Sequence, residues 1–123
     1  MLKAFRHVVH AAGYSLAGFR HLFQSELAAR IEAGAGLLSV IWLILLGRPV
    51  RDYVILAIIF CALISVEALN TAVERIVDRL SPELSDFGKA AKDLGSAAVF
   101  GMLAAAGIFL LAVTADTAGL IAF

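Results

Sequence analysis

Charge is scarce in this chain, and so is everything that would make it a soluble protein. Only 16% of its 123 residues are Asp, Glu, Lys or Arg, whereas 62% are hydrophobic and the mean hydropathy is +0.94. Soluble domains are about half apolar. A water-soluble globule is therefore excluded, because too few polar side chains exist to cover its surface. Ten basic and ten acidic residues cancel, so bulk charge offers nothing to nucleic acid. The single cysteine, Cys61, cannot form an intrachain disulfide, and its apolar surroundings read as those of a small buried residue. The first 24 residues hold no continuous apolar core followed by a small-x-small site, so no cleavable leader is expected. No repeat, linker or low-complexity tract breaks the chain, and its length makes one domain, residues 1–123. It contains no G-x-x-x-x-G-K-[ST] and no protein-kinase motif set.

What the chain does have is four apolar stretches of two kinds. Residues 1–24 alternate by face. Phe5, Val8, Val9, Ala12, Leu16, Phe19 and Phe23 form one stripe, while Lys3, Arg6, His7, His10, Arg20 and Gln24 form the other. This is the pattern of an amphipathic helix lying in a membrane interface, with a bend expected near Gly13-Tyr14-Ser15 because glycine weakens helices. The other three stretches are long enough to span. The first, 26–46, crowds Glu26, Arg30 and Glu32 at its start and stops at Gly47-Arg48-Pro49. The second, 52–79, exceeds the hydrocarbon thickness, so its last turns project into water. Ser81-Pro82-Glu83 then reads as a turn, or as the N-cap of the next helix. The third, 92–115, includes 22 uncharged residues from Leu94 to Ala115, rich in Gly, Ala and Ser, which let membrane helices approach closely. The expected fold is an all-α membrane protein: one interfacial helix and three transmembrane helices.

Basic residues orient it. Lys3, Arg6, Arg20, Arg30, Arg75, Arg79, Lys89 and Lys92 fall on one side, and Arg48 and Arg51 on the other. Eight against two predicts a multi-pass protein with a cytoplasmic N-terminus and 79–89 loop, its polar end where ATP is found.

That polar end carries the chemistry. From Tyr53 to Val73 the one charged side chain is Glu67, with Asn70 one turn on. An ionisable group in hydrocarbon costs roughly 2.5–3.5 kcal/mol on insertion scales and marks function by default. Glu67, Asn70, Glu74 and Asp78 recur at i, i+3, i+7 and i+11, on one helix face. Glu26 and Glu74 belong at the same membrane boundary, and Mg²⁺ is usually held by one or two carboxylates plus substrate phosphates. The bland alternative pairs Glu26 with Arg30 at i,i+4 and Glu74 with a neighbouring cation. Lys92-Asp93 opens the third span, where a lysine either binds phosphate or snorkels to anchor a helix end. Ser96, one turn on, reads as packing glue. Glu67 is a candidate general base towards a lipid hydroxyl, or a structural partner of Asn70. His7, His10 and His21 lack metal-ligand spacing and read as interfacial, and Trp42 reads as lipid-facing. Two other classes remain. One is a small oligomeric channel or transporter with Glu67 in an ion-binding ring, which leaves Lys92-Asp93 unexplained. The other is a structural oligomer built on the small-residue span, which leaves the acidic stripe unexplained.

These motifs resemble a known family, the small prokaryotic integral-membrane diacylglycerol kinases, which include undecaprenol kinases. The resemblance runs from A-A-G-Y-S (Ala11–Ser15) through Glu26, Arg30 and Glu32. It is strongest at E-A-L-N-T-A-V-E (Glu67–Glu74), V-D-R (Val77–Arg79) and A-K-D-x-G-S-A-A-V (Ala91–Val99). It implies a homotrimer with active sites shared between subunits, and phosphoryl transfer from Mg-ATP to diacylglycerol, or alternatively to undecaprenol. By position, Glu67 matches the catalytic base and Asn70 its neighbour. Glu26 and Glu74 match the Mg²⁺ carboxylates, which also contact ATP. Tyr14, Glu83, Lys92 and Asp93 match further ATP-binding positions, and Ser15, Glu67 and Ser96 match positions beside the lipid. The chain departs from the pattern in two places. His7 with Arg6 stands where some members have one arginine, and the loop Ser81–Gly88 has no histidine.

Overall fold

The computed structural model describes residues 1–83 and 85–123, apart from the side chains of Leu2, Ala4 and Val8, so Val8 of the apolar stripe lies outside the described side chains. Four helices follow one another: α1 (Leu2–Ser25), α2 (Leu27–Leu45), α3 (Val50–Leu80) and α4 (Asp86–Thr117). The last three are long and apolar enough to cross a membrane, and the protein is an all-α membrane protein. At ~1.5 Å per residue, α3 and α4 each exceed the ~30 Å hydrocarbon core by several turns. Those extra turns carry the polar end.

The corners follow from local chemistry. Glu26 is extended (φ −105°, ψ 120°) and serves both as C-cap of α1 and N-cap of α2. Gly47 takes the left-handed conformation (φ 65°) that ends α2, and Pro49 precedes the first turn of α3. Two local expectations need correction. First, α1 does not bend near Gly13; it is a single helix. Its glycines meet open space, and Ser15 Oγ donates to Ala11 O at 3.2 Å across that turn. Second, Ser81 is not the N-cap of the following helix. Its N–H donates to Val77 O at 2.8 Å as C-cap of α3, and Ser81, Pro82 and Glu83 lie outside any helix, the turn that the sequence also allowed. Ser85 caps α4 instead, accepting from Gly88 N at 3.0 Å, and α4 starts six residues before the expected position 92.

α4 runs back along α3 as the longest contact in the chain, α2 packs on α3, and α1 lies across α2 and α3. The apolar core of Leu43, Leu56, Phe109 and Val113 sits at the Gly47 end. That end is fastened by a charge network. Arg48 donates to Asp52 and to Asp116, each at 2.6 Å, and Asp52 is fully buried. The hydrogen bonds to Asp116 and then Asp52 push the Arg48 guanidinium further above its ordinary range. Phe123 closes the same end: its N–H donates to Asp116 and its ring lies edge-on to Phe109. Trp42, expected only to face lipid, also donates its indole N–H to Thr114 Oγ1 at 3.0 Å. Cys61 is exposed rather than buried within the chain. It lines an apolar groove of about 510 Å³ between α1, α2 and α3, with Phe19, Phe23, Gly36, Phe60 and Ile64 among its walls. Large side chains such as Leu37, Leu45, Ile58, Phe100 and Leu111 are exposed on the spans, as a lipid-solvated bundle requires.

Candidate active site

At the other end, the stripe on α3 meets α4 and the α1–α2 corner. Glu67 is 4% exposed and sits deepest. It lies within electrostatic reach of Glu74 and Glu26, and Glu32 within reach of Glu67. The structure thus draws carboxylates from three points of the chain into one region: the α1–α2 corner, α2 and α3. One turn along α3 from Glu67, Asn70 Nδ2 donates to Glu74 Oε1 at 3.1 Å, which fixes one carboxylate oxygen and, among the described residues, leaves the other without a partner. Asn70 Oδ1 is buried without a hydrogen-bond partner and abuts Gly95 of α4. A Cβ on Gly95 would collide with it, so glycine at 95 is what lets α4 pass this close.

Asp78, the last member of the stripe, pairs with Lys92 Nζ at 2.5 Å across to α4. Together they line a polar pocket of about 170 Å³ with Ser81, Glu83, Lys89 and Asp93. Three residues singled out in the sequence, Glu83, Lys92 and Asp93, are therefore brought to one pocket, and the α3 stripe leads from it to Glu67. The resulting arrangement has a buried carboxylate at membrane depth, partly exposed carboxylates above it, and a lysine-lined pocket beyond. That is a layout able to hold an anionic, metal-chelating group next to a hydroxyl bound from the lipid phase.

Residues 13–114 match the family described as prokaryotic diacylglycerol kinase. The chain belongs to that family. Proteins named diacylglycerol kinase from three organisms show the extent of the similarity. The one from Sinorhizobium sp. is 45% identical over 104 residues, covering 85% of this chain and 75% of the relative. The one from Pseudomonas aeruginosa is 43% identical over 97 residues, 77% of each. The one from Escherichia coli K12 is 39% identical over 95 residues, 77% of this chain and 78% of the relative.

Within this family member, not every candidate joins the cluster. Tyr14 and Ser15 are exposed on α1 and line neither the polar pocket nor the apolar groove. Ser96 is exposed on α4. Among the described residues, no group of three or more His, Cys, Asp and Glu is arranged to hold a metal by itself. Glu26 does not pair with Arg30. As an extended corner residue it is out of helical register with position 30, and Arg75 takes the carboxylate instead, at 3.3 Å. Arg75 also receives Ser25 and His21 as partners, so His21 is engaged with α3 rather than simply interfacial.

Two residues carry more than the sequence reading gave them. Arg75 is one. The other is Glu32, 6% exposed, with Oε2 buried and unpartnered. Its signal is present in the sequence: Ala29, Gly36 and Ser39 stand at i−3, i+4 and i+7 from it, a small-residue face that packs close to α3. Gly36 confirms the closeness, since a Cβ there would lie 2.9 Å from the Phe60 ring.

Proposed function

We propose that this chain transfers the γ-phosphoryl group of ATP to the free hydroxyl of diacylglycerol, giving phosphatidic acid and ADP. Family membership supports the reaction class, and one observation carries the reading of the site: one face of α3 carries polar groups from buried Glu67 through Asn70 and Glu74 to Asp78, which lines the pocket of Glu83, Lys92 and Asp93. The lipid hydroxyl comes to Glu67 from the membrane while the polyphosphate stays at the polar end. Glu67 accepts the hydroxyl proton as that oxygen bonds to the γ-phosphorus and the bond to the β-phosphate oxygen breaks. In such transfers the protein mainly positions and neutralises charge.

Glu26 and Glu74 supply hard oxygen ligands suited to Mg²⁺. Among the described residues each keeps one oxygen without a hydrogen-bond partner, and a two-carboxylate set completed by phosphates is how this ion is commonly held. When bound, Mg²⁺ neutralises phosphate charge. Lys92 and Asp93 contact the nucleotide with Glu83 and Tyr14, and Ser15 and Ser96 flank the lipid. The exposure of Tyr14, Ser15 and Ser96, together with the open small-residue surface of α4 at Ala97, Ala98, Gly101 and Ala104, supports a homotrimer in which neighbouring subunits complete each site. The prokaryotic family and the three apolar helices support a bacterial inner-membrane location, and the basic-residue bias supports an orientation with the N-terminus and the polar pocket cytoplasmic.

The substrate is tested with purified protein in mixed micelles, following ADP release. Turnover should require diacylglycerol and stay at background with undecaprenol; the reverse pattern would reassign the lipid. The metal ligands are tested by Mg²⁺ titration. Glu26→Ala and Glu74→Ala should each raise the Mg²⁺ midpoint by about tenfold or more, since a lost charged ligand costs at least the ~1.4 kcal/mol that tenfold represents. Titrations that overlay the parent would remove both residues from the metal site.

A further inference from the structure

Arg75 follows Glu74 directly, so helical geometry turns it about 100° away from the acidic stripe. It therefore points towards α1. There its Nη2 donates to Ser25 Oγ at 2.8 Å and to Glu26 Oε1 at 3.3 Å, while Nη1 contacts His21 Nε2. Ser25 Oγ is also 3.0 Å from the same Glu26 oxygen, which closes a triangle of Arg75, Ser25 and Glu26. Four carboxylates gather in this region, Glu26, Glu32, Glu67 and Glu74. Among the described residues, Glu26–Arg75 is the one ion pair any of them makes.

The pair differs in kind from Arg48–Asp52 at the opposite end. There the side chains are 9% and 0% exposed and 2.6 Å apart. Here they are 45% and 29% exposed and 3.3 Å apart. A half-exposed, long pair contributes little, and a doubly charged cation can displace it. We propose that Arg75 is the resting counter-ion of Glu26, and that a divalent cation entering the site takes the carboxylate from it. The inference rests on the reading of Glu26 as a metal carboxylate. Arg75 balances part of the acidic cluster's charge at the membrane boundary while the metal is away, and so sets how much metal the site requires. Its bonds to His21 and Ser25 do not involve Glu26. The displaced guanidinium therefore stays tethered, and α1 stays docked on α3.

The test is Mn²⁺ binding to the full-length protein in detergent micelles, read from loss of the free-ion electron paramagnetic resonance signal, so that turnover is not the readout. Arg75→Gln keeps a donor for Ser25 but removes the competing charge. It should lower the Mn²⁺ midpoint roughly two- to fivefold, the range for a partly exposed ion pair. His21→Ala loosens the tether alone and should leave the midpoint at the parent value. Glu26→Gln should raise it. If Arg75→Gln matches the parent or binds Mn²⁺ more weakly while Glu26→Gln weakens binding, Arg75 does not compete with metal and the proposal is overturned. A lowered midpoint in His21→Ala equal to that of Arg75→Gln would also overturn it, because the effect would then belong to the docking of α1. If Glu26→Gln itself matches the parent, the metal reading of Glu26 fails first and takes the proposal with it.

Discussion

Replacing Glu67 with glutamine lowers turnover by about 10²- to 10⁴-fold, the contribution a positioned general base makes to a proton-transfer step, while leaving helix content and assembly unchanged. The amide matches the carboxylate in shape and hydrogen-bonding reach, so packing around this nearly buried side chain is kept and only the proton acceptor is lost. The KM for ATP should move little, because the proposed nucleotide site lies further along the stripe, at Glu74 and the pocket of Lys92 and Asp93. A fall in kcat with KM for ATP unchanged is the signature of an interaction made only in the transition state. Single-turnover assays of lipid phosphorylation and circular dichroism on the same micellar samples check both halves. Near-parent turnover would remove Glu67 from the chemistry. A collapse of assembly would show that the carboxylate is structural.

Glu67 was conspicuous in the sequence because hydrocarbon makes every polar residue stand out. In a chain of this hydropathy the i, i+3, i+7, i+11 spacing of Glu67, Asn70, Glu74 and Asp78 leaves only one helix face for them. The spans were legible for the same reason, since length and apolarity alone define them. What stayed hidden depends on which helix comes back to which. The alternative to a metal role for Glu26 put its partner on its own helix, at Arg30. The corner at Glu26 breaks that register, and the returning α3 brings Arg75. The Arg48–Asp52–Asp116 network joins residues from the α2–α3 turn to the end of α4, a closure no local pattern announces. Ser81 was left as either a turn or a cap because the proline after it favours a helix start by propensity; the cap is Ser85, whose Oγ accepts from Gly88 N, and Ser81 is the turn. Glu32 was seen and given no role, because one carboxylate near a helix start is ordinary. Only its burial beside Glu67 makes it unusual.

Gly95→Ala should cut turnover on the order of 10²-fold, the size of loss expected when a site group is displaced by about 1 Å, although neither the glycine nor the alanine touches substrate in the proposed site. In an α-helix alanine is favoured over glycine by ~1 kcal/mol, so α4 itself should not suffer. The cost falls on Asn70, whose Oδ1 occupies the space the new methyl group would enter. Relief requires Asn70 to rotate or α4 to back away from α3. Rotation is the smaller movement, and it breaks the bond from Asn70 Nδ2 to Glu74 Oε1 within α3, so the Glu74 carboxylate loses its fixed orientation. The Mg²⁺ requirement should therefore rise along with the fall in kcat, which distinguishes this route from a general loosening of the bundle. A double-mutant cycle isolates the cause. In an Asn70→Ala background the obstructing oxygen is gone, so adding Gly95→Ala should cost almost nothing further. If the two losses instead add, the methyl group acts through the α3–α4 packing and not through Asn70, and the link from Gly95 to Glu74 is wrong.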